Sequence, residues 1–316
     1  MSWDYTDSRT KLRELYEKGK ASQWNADTDI DWTPELVFGA EPTRAGDGPA
    51  PISHDSPVPA ELADHFRWEY QAWMTSQFLH GEQGALVATS RLVETVPDLD
   101  AKLYAASQVT DEARHVEAYA RYLDKLGHAY PINPALEEML RTILSESRWD
   151  MIYLGMQIIV EGLALAAFRW GGASFADPII RQITELVARD EARHVAFGVV
   201  SLDGFYKELT SAELRDREEF ICEAGLLMSR RFQLEEIWQR MGLDVAKGVR
   251  YATQNPSMVT FRQLMFSKIV SSLRRLGLLS PAVRQHFEEF ALIRRPGSGR
   301  PAAAPYTSGL RAEGDV

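Results

Sequence analysis

Cysteine is almost missing from this chain. Cys222 stands alone among 316 residues, which excludes an internal disulfide, a zinc-knuckle pattern and a cysteine-bound metal cluster. No Gly-x-Gly-x-x-Gly run marks a dinucleotide site. Basic charge is in deficit: 35 Lys and Arg stand against 45 Asp and Glu, for a net charge of −10, so nucleic acid is not an expected partner. Long apolar runs are lacking too. The nearest, Met151 to Phe168, contains Gln157 and Glu161 and falls short of the ~20 residues a bilayer requires; it reads as a buried helix. The start, Met1-Ser-Trp-Asp-Tyr, lacks the basic and apolar stretches of a secretory signal. The expectation is a soluble, cytoplasmic protein with no membrane partner.

What the chain does have is a sentence said twice. Asp111-Glu112-Ala113-Arg114-His115-Val116 recurs as Asp190-Glu191-Ala192-Arg193-His194-Val195, 79 residues later. Thirty positions before each central glutamate stand Glu82 and Glu161, again 79 apart. Positions i and i+3 share a helix face, so Glu112 points with His115 and Glu191 with His194. The break between Glu82 and Glu112 is Val96-Pro97-Asp98; that between Glu161 and Glu191 is Gly171 to Pro178. Each lies near the midpoint. Two antiparallel helices turning there bring their outer residues level, at ~1.5 Å per residue. Six side chains, Glu82, Glu112, His115, Glu161, Glu191 and His194, therefore meet in one layer of a four-helix bundle. Their four carboxylates balance two divalent cations, which removes the cost of burying either set alone. One Glu from each of two helices plus Glu-x-x-His from the other two is the di-iron carboxylate pattern. An arginine partner would account for a lone buried Glu161, but not for Glu82 in the same register.

The pattern orders the rest of the chain. Residues 1–56 read as an arm, with a short helix over Asp7 to Lys20 and with Trp24 and Trp32 set to pin it to the bundle. Residues 57–293 form the helical domain. Within it the spacing predicts helices over Pro59 to Glu94, Asp98 to Leu126, Asn133 to Ser147, Arg148 to Trp170 and Pro178 to Leu209. Further helices are expected over Ser211 to Met241, Met258 to Leu276 and Pro281 to Leu292. Residues 294–316, rich in Gly, Pro, Ala and Arg, are expected to be a disordered tail.

On these residues, within Pro57 to Leu209, the sequence resembles the ferritin-like di-iron carboxylate oxygenases and oxidases. These include the ribonucleotide reductase small subunit, multicomponent monooxygenase hydroxylases and p-aminobenzoate N-oxygenase. The resemblance implies an all-α ferritin-like bundle and two iron ions, with a manganese/iron pair as the variant. It also implies O2 as co-substrate and oxidation of a small organic molecule by hydroxylation, N-oxygenation or desaturation. Electrons would come from a separate reductase or ferredoxin, and the expected assembly is a homodimer. Asp111 and Asp190 would each serve the histidine of the opposite helix pair, with Arg114 and Arg193 either paired to them or facing solvent.

Departures sort the subgroups. The p-aminobenzoate N-oxygenase type places a histidine four residues before the last glutamate ligand, where this chain has Val187. The ligand-binding oxidase relatives of the reductase subunit crosslink a valine and a tyrosine at positions held here by Gly84 and Met156. The reductase subunit usually begins its ligands with Asp. A radical-generating subunit is the runner-up reading; it would use Tyr119, four residues after His115, against the plainer reading of a core tyrosine with a satisfied hydroxyl. Ferritin-like iron storage is the non-enzyme alternative. Phe78, Leu86, Thr89, Gln157, Leu165 and Phe197 lie one or two turns from the six residues, as cavity lining or plain core. His54, His65, His80, His128 and His286 show no ligand spacing.

Overall fold

The structure, a computed structural model, describes residues 9–41, 43 and 56–295. Among them the only extended pairing is an isolated antiparallel bridge between Thr43 and Phe175; the rest is helix and connection. Helix α1 (Thr10–Ala21) is followed by α2 (Ala63–Thr95), α3 (Leu99–Leu126), α4 (Pro134–Ser145), α5 (Trp149–Tyr153), a π segment (Leu154–Val160), α6 (Glu161–Ser174) and α7 (Pro178–Leu202). Helices α8 (Ser211–Arg230), α9 (Glu235–Arg240), α10 (Val245–Gln254), α11 (Pro256–Arg275) and α12 (Pro281–Glu289) complete the body.

Local chemistry sets these limits. Asp98 accepts from Ala101 N at the start of α3, and Gly127 closes that helix with φ of 89°, a left-handed turn that costs glycine little. Asn133, Asp177, Asn255 and Ser280 each cap a helix whose first residue is proline, where the missing N–H is no loss. Thr210 and Glu213 form a reciprocal capping box ahead of α8.

Helices α2 and α3 pair antiparallel, as do α6 and α7, and α3 meets α7 across the bundle. Helix α1 lies on α3 and α7. The helical stretch Trp149–Ser174 is apolar and long enough for a membrane, but 83% of its most apolar window is buried inside the bundle.

Four expectations need correction. The helix carrying Glu161 is not uniform: the seven residues Leu154–Val160 widen to π geometry just before it. Small neighbours seat this wider turn, since a Cβ on Gly198 would stand 2.6 Å from Gln157 Cβ. Helix α7 stops at Leu202, ahead of Gly204 with φ of 81°. The helix expected over Ser211 to Met241 breaks into α8 and α9 at Leu234, whose φ is 58°. Finally, α10 was not anticipated; Asp244 caps it through Lys247 N. His54 and most of the proposed tail lie outside the described residues.

Candidate metal centre

Helix α2 supplies Glu82, α3 supplies Glu112 and His115, the first residue of α6 is Glu161, and α7 supplies Glu191 and His194. All six are buried, the two histidines completely. They form two overlapping groups: Glu82, Glu112, His115 and Glu191, and Glu112, Glu161 and His194. Within each group the ligand-capable atoms lie within 4.8 Å of one another. Glu112 belongs to both, its Oε2 at 3.3 Å from His115 Nδ1 and its Oε1 at 3.2 Å from His194 Nδ1. Glu191 Oε1 is also shared, 3.1 Å from His194 Nδ1 and 3.6 Å from His115 Nδ1.

These carboxylates are poorly served by the protein itself. One oxygen each of Glu112, Glu161 and Glu191 is buried without a hydrogen-bond partner, a costly arrangement unless a cation stands there. Burial pushes the Glu82 and Glu161 carboxyls well above the usual range, and for Glu161 repulsion from Glu191 and Glu112 adds to it. The His115 and His194 imidazoles are pushed well up: burial opposes this, and the surrounding carboxylates prevail. Without cations, protons must do the neutralising. Imidazole nitrogens and carboxylate oxygens at this spacing fit a two-metal cofactor of iron or manganese.

Behind the histidines lies a crossed pair of aspartates. His115 Nε2 stands 3.1 Å from Asp190 Oδ2, and His194 Nε2 stands 3.2 Å from Asp111 Oδ2. Each aspartate thus serves the histidine of the other helix pair, as the resemblance implied, and so fixes which ring nitrogen faces the cluster. Arg114 and Arg193 join the aspartates rather than face solvent. Arg114 Nη2 donates to Asp111 at 2.7 Å and Asp190 at 2.8 Å, and Arg193 Nη2 donates to Asp190 at 2.5 Å. Burial works against ionisation of Asp190, but the bond and charge of His115, reinforced by Arg193, hold it well below the usual carboxylate range.

Gln23 and Gln108 escaped the sequence reading, and Trp24, expected to pin the arm to the bundle, bonds to the site itself. Trp24 Nε1 donates to Asp190 Oδ2 at 2.8 Å, and Gln23 Nε2 donates to Asp111 Oδ1 at 2.9 Å; the N-terminal segment closes directly over the aspartate pair. Trp24 also lies against Arg114, whose guanidinium carbon is 4.6 Å from the ring centroid. Gln108 Nε2 donates to Glu112 Oε1 and Glu161 Oε1, both at 2.9 Å. Its position four residues before Glu112 was the available signal. No comparable signal tied Gln23 or Trp24 to this site, which they reach through tertiary packing.

A cavity borders the cluster at Glu82, Glu161 and Glu191; apart from Gln77 and Arg231 the rest of its wall is apolar, with Phe78 and Phe168 in it. Of the residues considered as lining, only Phe78 borders this cavity; Phe197 packs instead on Tyr104 and Tyr153, and Gln157 Nε2 turns to Thr89 at 3.4 Å and Glu161 at 3.5 Å. Tyr119 is fully buried beside Phe78 and Phe168. Its hydroxyl has no hydrogen-bond partner, which corrects the expectation of a satisfied one. His80 holds Tyr130 O at 2.9 Å, and His65 and His128 both face Glu69 at 3.3 Å, away from the cluster. His286 packs at a tilt against Phe290, with ring centroids 4.8 Å apart.

Among solved structures, an R2-like ligand-binding oxidase is similar in three variants. A glycine-to-phenylalanine variant with an anaerobically reconstituted Mn/Fe cofactor matches at a TM-score of 0.50 and 17% identity, covering 87% of this chain and 95% of that one. A glycine-to-leucine variant with a non-activated Mn/Mn cofactor gives 0.51 and 16%, covering 87% and 94%. A valine-to-leucine variant with an aerobically reconstituted Mn/Fe cofactor gives 0.50 and 16%, covering 88% and 95%. At these identities the likeness speaks for the fold, a ferritin-like bundle. A family model described as p-aminobenzoate N-oxygenase AurF matches residues 90–277. That span is more than half of the chain and holds five of the six clustered residues, all but Glu82. Val187, where the resemblance implies a histidine, is fully buried; Gln108 occupies the equivalent place in the first repeat and reaches the cluster from there. The match carries the assignment despite that departure: the chain belongs to the p-aminobenzoate N-oxygenase AurF family.

Proposed function

We propose that this oxygen-dependent oxidoreductase holds two iron ions, or a manganese/iron pair, through Glu82, Glu112, His115, Glu161, Glu191 and His194, and oxidises a small organic molecule. The observation that supports this most is the cluster of six buried side chains, with three of its carboxylate oxygens left without donors. When bound, such a metal pair supplies the binding and reduction of O2 that side chains alone do not. Family membership favours N-oxygenation of an amine over hydroxylation or desaturation.

The chain's own residues have definable parts. Glu112, placed between both histidines, would help to hold both metal ions. Asp190 and Asp111 keep the Nε2 protons of His115 and His194, so the Nδ1 atoms face inward as neutral ligands. Gln108 holds Glu112 and Glu161 together. The apolar walls around Phe78 and Phe168 keep water from the side of the cluster facing the cavity. The electron donor is a separate reductase or ferredoxin. The working assembly is a homodimer in the cytoplasm, with residues 57–293 as one helical domain and residues 1–56 as an arm.

Metal analysis joined to O2 consumption by the chemically reduced protein tests this reading. About two metal ions per chain and O2 uptake, both lost in Glu161→Ala, are expected. Zinc alone, or iron with no O2 uptake under any reductant, overturns it.

A further inference from the structure

Helices α6 and α11 pack on one another, and between them lies a cleft of about 290 Å³. Helix periodicity sets its walls. Leu165 and Arg169 follow one face of α6, and Leu264, Lys268 and Ser271 follow one face of α11, at steps of three or four. The cleft shares no wall residue with the chamber beside Glu82, Glu161 and Glu191. Arg169 stands about 12 Å beyond Glu161 along the axis of α6.

The charge in this cleft is unbalanced. None of its wall residues is acidic. Arg169 is exposed and Lys268 half-buried, and among the described residues neither has a hydrogen bond or an ion pair. What they have is each other: burial lowers the Lys268 pKa, and repulsion from Arg169 and Arg275 adds to it. Other enclosed cations are treated differently. Arg114, Arg193 and Arg217 are each bonded to aspartates, and Arg262 donates to two backbone carbonyls. In a chain of net charge −10, acids to neutralise this pair are plentiful, yet none is placed there. Like charges brought together without a counterion cost stability, and an anion in the cleft reverses that cost.

Polar groups complete the recess. Ser267 and Ser271 stand exposed in the α11 wall. Trp170, which borders both this cleft and the aromatic chamber on the other side of α6, has an Nε1 that is buried without an acceptor. Leu165 and Leu264 are the apolar part of the wall.

We propose that this cleft is a binding site for a phosphate group, free or carried as a monoester by a small organic molecule, held between Arg169 and Lys268. A phosphomonoester carries a charge of about −1.5 to −2 at neutral pH, which matches two cations where a single carboxylate leaves one unpaired. Its oxygens accept from the guanidinium fork, the ammonium and the serine hydroxyls together. An apolar body on the ester lies against Leu165 and Leu264. The site does not depend on the reading of the six-residue cluster. Its ligand ties α6, the helix that begins with Glu161, to α11.

Titration calorimetry of the metal-loaded protein at fixed ionic strength tests the site, with inorganic phosphate and phenyl phosphate as probes. One phosphate group per chain should bind saturably and raise the unfolding temperature. The double variant Arg169→Gln, Lys268→Gln should bind at least about tenfold more weakly, as the loss of charge-assisted hydrogen bonds warrants. Ser267→Asp, an exposed substitution that sets a carboxylate in the wall, should do the same, with metal content and circular dichroism unchanged in both variants. Tighter binding of phenyl phosphate assigns the site to an ester, and equal binding assigns it to free phosphate. No saturable binding of either probe overturns the proposal. So does undiminished binding in either folded variant, which would place the anion at the metals instead.

Discussion

Replacing Asp190 by asparagine probes the most heavily bonded group behind the cluster. The carboxylate accepts from Trp24 Nε1 at 2.8 Å, Arg114 Nη2 at 2.8 Å and Arg193 Nη2 at 2.5 Å, and faces His115 Nε2 at 3.1 Å. Asparagine keeps the shape but offers one acceptor oxygen, and its amide hydrogens confront donors. Removing one partner of a buried charged set costs about 3–5 kcal/mol, because the arginines stay behind. The loss should appear as a lower unfolding free energy of the metal-free protein in urea. Loss of the carboxylate behind a metal-bound histidine weakens metal affinity by about 10–100-fold. The structure also makes the effect one-sided, since Asp190 serves His115 while His194 is held by Asp111. Asp190→Asn should therefore empty the site made by Glu82, Glu112, His115 and Glu191 first, leaving about one tightly held metal per chain. Asp111→Asn should empty the other. Competition with a chelator, followed by metal analysis, reads this directly. Two metals retained at wild-type affinity in both variants would refute the crossed arrangement, as would identical loss from both sites in each.

Three further outcomes follow from the packing and the charges. In the metal-free protein the folded pKa values of His115 and His194 are raised, so both stay protonated above their unfolded value of about 6.5, and their stabilising contribution is lost as pH rises through the folded values. Metal loading must expel those protons. Calorimetry at pH 7.5 in buffers of different ionisation enthalpy should show proton release, with affinity falling as pH falls; heats independent of buffer would contradict it. Asp190 behaves in the opposite sense, since its depressed pKa gives stability that is fully present above about pH 4 and lost only as pH falls towards the folded value. Gly198→Ala would set a Cβ 2.6 Å from Gln157 Cβ and push α7 off the π segment. A loss of about 1–3 kcal/mol is expected, and an unchanged urea midpoint would show that the segment yields freely. Tyr119→Phe removes a buried hydroxyl with no partner, so the metal-free protein should be unchanged or more stable, by up to about 1–3 kcal/mol. A persistent tyrosyl radical signal after O2 exposure, absent in this variant, would instead favour the radical-generating alternative.

The amino-acid sequence by itself determined the six clustered residues and the class of fold. Helical periodicity and the 79-residue repeat are one-dimensional facts, and antiparallel pairing about a midpoint turn is enough to convert them into a common layer. It also located most helix starts, because an Asn, Asp or Ser followed by proline is a local signal whose energy comes from its own few atoms. Tertiary structure decided everything that depends on which side chain arrives from elsewhere. Gln23 and Trp24 reach the aspartate pair from 88 and 166 residues away in the chain, a contact no spacing rule encodes. The π turn before Glu161 is set by what packs on it, including Gly198. The break at Leu234 imposes a left-handed backbone on a leucine, against its intrinsic preference. The crossed aspartates behave likewise, since the arginine, tryptophan and glutamine that satisfy them come together only by packing, and neutralisation depends on the surroundings of a group and not on its neighbours in the chain.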